Sequence, residues 1–396
     1  MIKKRILFLT GKRGGYSCIL PIILSMQESE WANPHLVACD MHSLRETGHR
    51  GIEQFEEDGV RSCELTIARQ VPNQDSDMYR TMFLGSILYE AAIILDSNKP
   101  DLVVLYGDRG EVAAFALAAT QMGIPIAHLQ GGDITCNVDD TFRHIITKMA
   151  NIHFCSNEGS SALIADMGED QSTIFTVGDH HIDSLSNFSE ISDTELYAAC
   201  NISNWGEKII TLLYHPYTYT WEESGTEMRD IITALDKYMV DDYHIVAIHP
   251  CTDPGYKDIV FELEVHADRE NFHYIPNLSK TMFSRLLQMS SCIVGNSSCG
   301  IIEAPYLRTP TVNVGDRQLG RLLGPSIYGT KCHMENIMAS IELALRHDKD
   351  GTYERHYGDG KASAKTYIIL KDNLTEPLSP LAEPKYIRWV YNANIS

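Results

Sequence analysis

The densest group of ionisable side chains in this sequence lies between His128 and His144. Its members surround a Gly-Gly turn within seventeen residues: His128, Asp133, Asp139, Asp140, Arg143 and His144. General acid–base catalysis requires carboxylates and imidazoles that are held close together. One aspartate capping the helix that follows is the structural alternative, but a cap requires only one of these groups. The stretch is therefore predicted to be catalytic.

A second candidate pair, Asp108 and Arg109, directly follows the apolar run Leu102–Tyr106. A carboxylate and a guanidinium at the end of a buried strand lie where α/β enzymes place their catalytic residues. A salt bridge to a neighbouring helix explains the pair equally well. Both interpretations stay open on the sequence alone.

The glycine-rich turn Gly11–Gly15 follows the first apolar run of the chain. Such a turn brings backbone close to a ligand, and Arg13 within it is suited to a phosphate. The turn matches neither a dinucleotide-binding fingerprint nor a P-loop. A plain strand-to-helix connection is the alternative.

Small hydroxyl residues mark a comparable point in the second half of the chain, at residues 295–305. Ser297 and Ser298 follow an apolar run and open a helix, and free N–H groups there form an anion pocket. Glu303, one helical turn later, suits a ribose diol. Together with Arg317 after the next apolar run, the segment indicates a nucleoside diphosphate, whereas a simple cap by Ser298 is the alternative. Two histidines that precede prolines at run ends are further candidates, His215 and His249.

Short unbroken apolar runs alternate with longer helical stretches along the whole chain, as in parallel sheets covered on both faces. The predicted strands are 6–10, 36–39, 102–106, 124–129, 152–155, 174–177, 209–213, 245–249, 292–294 and 311–314. The predicted helices are 82–95, 111–122, 140–150, 227–238, 280–289, 298–307 and 335–345. This pattern predicts an α/β protein with two doubly wound Rossmann-like domains that face a cleft. Their predicted extents are 1–186 and 187–375, with a segment 376–396 that packs back on the first domain.

Composition narrows the classes of function. At 396 residues the chain is too long for one ordinary core, and 44% hydrophobic with 22% charged residues excludes wholesale disorder. A net charge of −20 argues against a nucleic-acid partner. No apolar run reaches the roughly 18 residues of a membrane span. The ten cysteines are dispersed without a C-x-x-C pair, which favours reduced thiols in a cytoplasmic protein over a zinc site or disulfides.

These motifs, taken together and in order, resemble the UDP-N-acetylglucosamine 2-epimerases. The resemblance rests on Gly107-Asp108-Arg109, the 128–144 stretch, His215-Pro216, the 295–305 segment and Gly315-Asp316-Arg317-Gln318. It is closest to the hydrolysing branch that feeds sialic and legionaminic acid synthesis. The resemblance implies a glycosyltransferase-B type fold, a nucleotide-sugar substrate held mainly by the C-terminal domain, no cofactor or metal, and a homodimer or homotetramer.

The resemblance also implies individual roles. Arg13 and Ser17 match the first-strand loop of the family, with Arg13 on the diphosphate, and His42 matches its G-M-H-L motif. Ser297 and Ser298 hold phosphate, Glu303 the ribose, and Arg317 braces the phosphate side. The family keeps catalytic carboxylates at Asp108, Asp133 and Asp139, and His128 or Arg143 holds the sugar. The remaining substrate-binding positions are Arg109, Asp140, His215 and Asn296.

The sequence departs from the family pattern at several positions. Lys12 and the pair Gly14-Gly15 remove an acid from the first loop, and Cys251 and Cys136 replace a usual Asn and a usual small residue. Gln130 stands where the family often has Glu. A neutral amide cannot act as a base, so the role of base moves to Asp133 or Asp139.

The reaction implied is elimination of the nucleoside diphosphate from a 2-acetamido sugar, followed by hydration with inversion at C2. Three alternatives stay open: a non-hydrolysing 2-epimerase, a glycosyltransferase of the same fold, and an inactive nucleotide-sugar sensor. The non-hydrolysing motif H-V-E-A-G-L-R-T is absent, because Gly131-Gly132-Asp133 stands in its place.

Overall fold

The computed structural model describes most of the chain, and every structural statement below concerns that part. The described residues are 2–39, 42, 51–66, 77–136, 138–185, 191–203, 208–217, 219–251, 253–348, 350–353, 355–375, 381 and 385, with only the backbone at Arg13 and Asp77. They form two compact units. Unit 1 comprises 1–134, 139–183 and 358–396, and unit 2 comprises 135–138 and 184–357.

Unit 1 is built on a seven-stranded parallel sheet. Its strands are β1 Lys4–Thr10, β2 Ala32–Ala38, β3 Cys63–Leu65, β4 Leu102–Tyr106, β5 Ile126–Leu129, β6 Ile152–Cys155 and β7 Ile174–Thr176. The helices between them are α1 Arg13–Gln27, α2 Ile52–Glu57, α3 Asp77–Asn98, α4 Gly110–Gln121, α5 Asp139–Met149, α6 Glu158–Asp166 and α7 His180–Asp183. The sheet order is β3-β2-β1-β4-β5-β6-β7. The strand order therefore reverses between β1 and β4, which is where such sheets bind ligands.

Both faces of this sheet are covered, which explains the unbroken apolar runs. Phe8 of β1 packs with Ile22 of α1 on one face, whereas its neighbour Leu7 packs with Ile87 of α3 on the other. Alternate side chains of a strand point to opposite faces, so a strand buried on both sides must be apolar throughout.

Unit 2 repeats this plan with six parallel strands. They are β8 Lys208–Leu213, β9 Tyr243–Ile248, β10 Phe272–Ile275, β11 Cys292–Gly295, β12 Thr311–Val314 and β13 Ile327–Thr330. The helices are α8 Asp193–Ala199, α9 Ser224–Val240, α10 Tyr256–His266, α11 Lys280–Met289, α12 Cys299–Ile302 and α13 Met334–Leu345. The order β10-β9-β8-β11-β12-β13 reverses between β8 and β11. The predicted α/β class with two doubly wound domains is confirmed.

The last helix, α14 Ala362–Thr375, belongs to unit 1, whereas the sequence placed 358–375 in the second domain. Trp31 donates its indole N–H to Tyr367 Oη at 2.9 Å. Asp183 accepts the Ala362 N–H at 3.0 Å and so satisfies an N-terminal donor of the helix. Long-range contacts of this kind leave no mark in local sequence. Of the predicted segment 376–396, all but Leu381 and Lys385 lies outside the described residues.

Two other details differ from the sequence prediction. The helix predicted over 298–307 is only the single turn α12, because the chain continues in turns from Glu303. Pro305 lacks the N–H that a longer helix would need there. In addition, α3 includes one stretch, Met78–Asn98, that is long and apolar enough to cross a membrane by length and composition alone. Phe83, Ile87 and Leu95 of this helix lie in the core of unit 1, so the stretch packs as a core helix.

Candidate active site

A buried guanidinium joins the carboxyl ends of β4 and β5. Arg143 of α5 is fully enclosed and donates from Nη2 to Asp108 and from Nη1 to the backbone oxygen of Gln130 at 2.9 Å. Asp108 is reached through Gly107, whose φ of +84° turns the chain after β4. The Asp108 side chain is 22% exposed, whereas that of Arg143 is 0% exposed. Arg143 therefore fixes Asp108, and the prediction that it holds the sugar is corrected because its side chain is enclosed.

His128 is also enclosed. Its Nε2–H donates to the Gly107 oxygen at 2.8 Å, because a carbonyl only accepts, so Nδ1 accepts from the Thr147 hydroxyl at 3.1 Å. Burial lowers the pKa of His128 to about 3, although the bond to Gly107 opposes this shift. The ring is therefore neutral at ordinary pH. The prediction that it holds the sugar is corrected, since both nitrogens are used to support the turn before Asp108.

Asp133 is surrounded by hydroxyl groups. Its Oδ1 accepts from Ser156 at 2.5 Å and from Ser160 at 2.6 Å, and the residue is 3% exposed. The chain reaches it through Gly132, which has a φ of +78° and lies so close to Ser160 that a Cβ would meet the Ser160 oxygen at 2.2 Å. The carboxylate thus ties the Gly-Gly turn to α6. This arrangement is that of a supporting group and does not favour the predicted role of base.

Asp139 is the more accessible carboxylate of the predicted catalytic stretch. It opens α5, where the helix dipole favours a negative charge, and its side chain is 23% exposed. Arg109 lies nearby, with Nη1 3.9 Å from Asp139 Oδ1 and Nε 4.0 Å from Glu111 Oε1. Asp140, the next residue of the same turn, is half-buried. Asp108 and Asp139 therefore remain as carboxylates that a substrate can reach.

Sequence reasoning missed Glu111, which lies in the first turn of α4. Its side chain is 5% exposed, and within the described part of the chain Oε1 is buried without a hydrogen-bond partner. A Cβ on Gly11 would stand 2.4 Å from that oxygen, so the turn after β1 needs glycine there. The signal was its place three residues after Asp108.

A second missed cluster lies after β7, around Asp179 and His181. Asp179 Oδ1 accepts from His181 Nδ1 at 2.9 Å, and Oδ2 accepts from Gln130 Nε2 at 2.8 Å. The hydroxyl of Tyr106 lies 2.9 Å from the same His181 nitrogen. Burial lowers the pKa of His181, but the negative charges of Cys18 and Asp179 outweigh it and raise the pKa well above its ordinary value. The sequence signal was the Asp-His-His triplet at a strand end.

The first loop has a mixed outcome. Arg13 begins α1, and its side chain lies outside the described residues. Ser17 donates to the Gly14 oxygen at 2.8 Å. His42 is 4% exposed, with Nε2 3.1 Å from the Thr10 hydroxyl and its ring edge-on to Tyr16. Its predicted contact with substrate stays a prediction.

The corresponding edge of unit 2 is organised by an amide. Asn296 accepts the His215 N–H at 2.7 Å and donates to the His215 oxygen at 2.8 Å, so it holds the backbone after β8 in place. Cys251 donates its backbone N–H to His215 Nδ1 at 3.0 Å. Gly295 allows this approach, because a Cβ there would lie 1.9 Å from the Leu213 oxygen.

Arg317 and Gln318 extend this arrangement after β12. Both donate to the Asn296 backbone oxygen, at 3.1 Å and 3.0 Å. Ser298 precedes α12 without a side-chain capping bond, so the capping alternative of the sequence analysis is not realised. Ser297 Oγ accepts the Cys299 N–H at 3.5 Å.

Glu303 is 4% exposed and is paired with Lys280 of α11. The sequence analysis did not single out Lys280, because α11 is remote from Glu303 along the chain. A ribose hydroxyl that binds Glu303 would share the carboxylate with this ammonium group.

Two doubly wound units with polar carboxyl edges are the architecture of glycosyltransferase-B type α/β proteins. The sequence profile of the UDP-N-acetylglucosamine 2-epimerase family matches residues 24–371, and the chain belongs to this family.

Relatives support the same assignment. The chain is 29% identical to a UDP-N,N'-diacetylbacillosamine 2-epimerase (hydrolyzing) of Legionella pneumophila, over 94% of this chain and 96% of that one. It is 27% identical to a UDP-N-acetylglucosamine 2-epimerase of Neisseria meningitidis, over 93% and 95%. Among solved structures, a UDP-GlcNAc 2-epimerase from Neisseria meningitidis bound to UDP-GlcNAc matches with a TM-score of 0.78 and 20% identity, covering 93% of this chain and 100% of that one.

Proposed function

We propose that this protein is a hydrolysing 2-epimerase of a nucleotide-linked 2-acetamido sugar. The substrate class is UDP-N-acetylglucosamine or a UDP- or GDP-linked 2,4-diacetamido-trideoxy-glucose, and the products are the nucleoside diphosphate and the free manno-configured sugar. The observation that carries the proposal is the pair of accessible carboxylates, Asp108 and Asp139, at the carboxyl edge of unit 1. Family membership and the hydrolysing relative support it.

Departure of the diphosphate is the step that makes the chemistry possible. A C2 proton without an adjacent carbonyl is too weakly acidic for a carboxylate to remove. When the C1–O bond breaks, its electron pair leaves with the diphosphate, and the positive charge that develops at C1 acidifies the neighbouring C–H. Cationic and N–H donors stabilise the departing group. The donors that we assign are Arg13, Arg317 and the N–H groups of Ser297 and Ser298, with Glu303 on the ribose.

Asp139 is the proposed base that takes the C2 proton. It is exposed enough to meet a substrate, whereas Asp133 is enclosed by two serine hydroxyls. Asp108, held by Arg143, would stabilise the charge at C1 and direct the water that adds to it. His128 and Asp133 act indirectly, because they support the turns that carry Asp108 and Gly131-Gly132. Nucleotide binding is assigned to unit 2 and the sugar chemistry to unit 1.

The test is incubation of the protein alone with UDP-N-acetylglucosamine, or with its 4-acetamido-6-deoxy analogue, in deuterated water. We expect free UDP and a free sugar that carries deuterium at C2. A labelled nucleotide sugar without release of UDP would instead identify a non-hydrolysing epimerase. Release of UDP only with an acceptor would identify a glycosyltransferase, and no turnover with any nucleotide sugar would identify a sensor.

Assembly and compartment are proposed with less direct support. The ten cysteines are free thiols, which agrees with a reducing compartment and hence the cytoplasm. A homodimer or homotetramer is proposed from the family resemblance. Light scattering on the eluting protein would measure its mass, and a monomer at micromolar concentration would contradict this assignment.

A further inference from the structure

Gln130 occupies a position that the proposed mechanism does not use. It follows β5 with a φ of +64°, a backbone conformation that non-glycine residues rarely adopt. Its backbone oxygen accepts from Arg143, the same guanidinium that holds Asp108. In the parallel register of β4 and β5, Tyr106 lies beside Leu129. Gln130 and Asp108 therefore stand at the ends of adjacent strands, in one connected set of side chains.

The orientation of the Gln130 amide is determined by Asp179. Gln130 Nε2 lies 2.8 Å from Asp179 Oδ2, and Asp179 is 2% exposed. The other oxygen of Asp179 accepts from the backbone N–H and from Nδ1 of His181, both at 2.9 Å. A carboxylate only accepts, so the nitrogen end of the Gln130 amide must face Asp179 and the oxygen end must face away.

Within the described residues, Gln130 Oε1 has no hydrogen-bond partner from the protein. Gln130 is 7% exposed, and this oxygen is not among the fully buried atoms that lack a partner. It is therefore an acceptor at the edge of the sheet that carries Asp108, with a fixed direction and an accessible surface.

We propose that Gln130 is a specificity-determining residue whose Oε1 accepts a hydrogen bond from a hydroxyl or amide N–H of the substrate sugar, and that Asp179 is the positioning residue that aims it. This inference rests on the proposed function, since it requires a nucleotide sugar at this site. An amide oxygen adds binding and discrimination but takes no proton. A site of this kind favours a sugar that offers a donor and leaves acid–base chemistry to the neighbouring carboxylates.

The test compares affinities for UDP-N-acetylglucosamine and for UDP, measured by titration calorimetry. Gln130→Leu keeps the volume and removes the acceptor, so we expect a roughly 3- to 10-fold loss of affinity for UDP-N-acetylglucosamine with unchanged affinity for UDP. Asp179→Asn should act in the same direction and less strongly. Its single oxygen must serve both Gln130 and the His181 N–H, so the Gln130 amide loses its fixed orientation.

Asn151→Ala is the matched control. Asn151 is a buried residue whose side-chain oxygen accepts the Ile126 N–H at 3.0 Å, at the opposite end of β5. Its loss should lower the melting temperature and leave the ratio of the two affinities unchanged. In steady-state assays, Gln130→Leu should raise KM with kcat nearly unchanged.

Four results would overturn the inference. They are an unchanged affinity ratio in Gln130→Leu, equal losses for UDP and the nucleotide sugar, a collapse of kcat at constant KM, and a wild-type protein that binds UDP and UDP-N-acetylglucosamine equally. Binding of neither compound by the wild-type protein would overturn the proposed function and the inference together.

Discussion

The carboxyl edges of the two units use different chemistry to hold their polar groups. In unit 1 the groups are ionisable and joined in pairs, as in Asp108 with Arg143 and Asp179 with His181. In unit 2 the organising group is the neutral amide of Asn296, which holds backbone through four hydrogen bonds involving its side chain and its oxygen. Charged groups that titrate or move protons suit catalysis, whereas a neutral framework of fixed donors suits recognition of a bound nucleotide. One fold, used twice, thus divides its labour by the residues that follow its strands.

The largest expected difference concerns Asp139. Asp139→Asn should lower kcat by about 10²- to 10⁴-fold and leave UDP affinity intact, because the base acts only on the sugar. Asp133→Asn is the matched control. Its serine contacts make it a supporting residue, so it should lose stability and retain most of its turnover. Steady-state kinetics and UDP titration check both. Near-wild-type turnover of Asp139→Asn would contradict its role as base.

Glycines with positive φ separate the two units by their surroundings. Gly132→Ala should lower the free energy of unfolding by at least about 3 kcal/mol, because its Cβ would meet the Ser160 oxygen at 2.2 Å as well as adopt a strained φ. Gly315→Ala in unit 2 has a similar φ of +76° and no atom within 4 Å of the added carbon. It should cost about 1 to 2 kcal/mol from the backbone alone. Urea unfolding of both variants measures this difference, and equal losses would contradict it.

Asn296→Ala tests the neutral framework of unit 2. The backbone N–H and oxygen of His215 lose their partners, so we expect the free energy of unfolding to fall by about 1 to 3 kcal/mol and UDP affinity to fall roughly tenfold. kcat at saturating substrate should change far less than in Asp139→Asn. Asn271→Ala, which removes a bond to the Met239 oxygen in the same unit, is the control and should leave UDP affinity unchanged. Unaltered UDP affinity in Asn296→Ala would remove this residue from the binding site.

The smallest predicted effect is a pH dependence that arises in unit 1. The pKa of His128 falls from an ordinary value of 6.5 to about 3 on folding, so the unfolded chain binds a proton that the folded protein does not. The stabilisation is therefore complete above pH 6.5 and is lost as the pH falls from 6.5 towards 3, by about 1.4 kcal/mol per pH unit. Urea unfolding at pH 7, 6 and 5 should show a shallower decline for His128→Asn than for the wild-type protein. Parallel declines would mean that His128 is protonated in the folded state.

Much of the fold was predictable because it follows from local patterns. Strands buried on both faces must be apolar throughout, so runs such as Leu102–Tyr106 and Ile152–Cys155 were predicted with their observed bounds. α14 was placed in the wrong unit, because its docking depends on Trp31 and Asp183, which are distant in sequence. In the site, the sequence marked the 128–144 stretch but did not distinguish its carboxylates. Asp133 and Asp139 look alike until Ser156 and Ser160 are seen to enclose only the first.

Residue types and their periodicity alone determined that this chain forms two doubly wound domains and that the ends of particular strands carry polar groups. Motifs spread over nearly the whole length determined the family. Tertiary structure alone decided which of those groups remain accessible, since burial and partners come from segments far apart in sequence. It enclosed His128 and Arg143, left Asp108 and Asp139 reachable, and brought Asp179 against Gln130 from 49 residues away. Chemical identity is written in the chain, but accessibility and pairing are properties of the packed molecule.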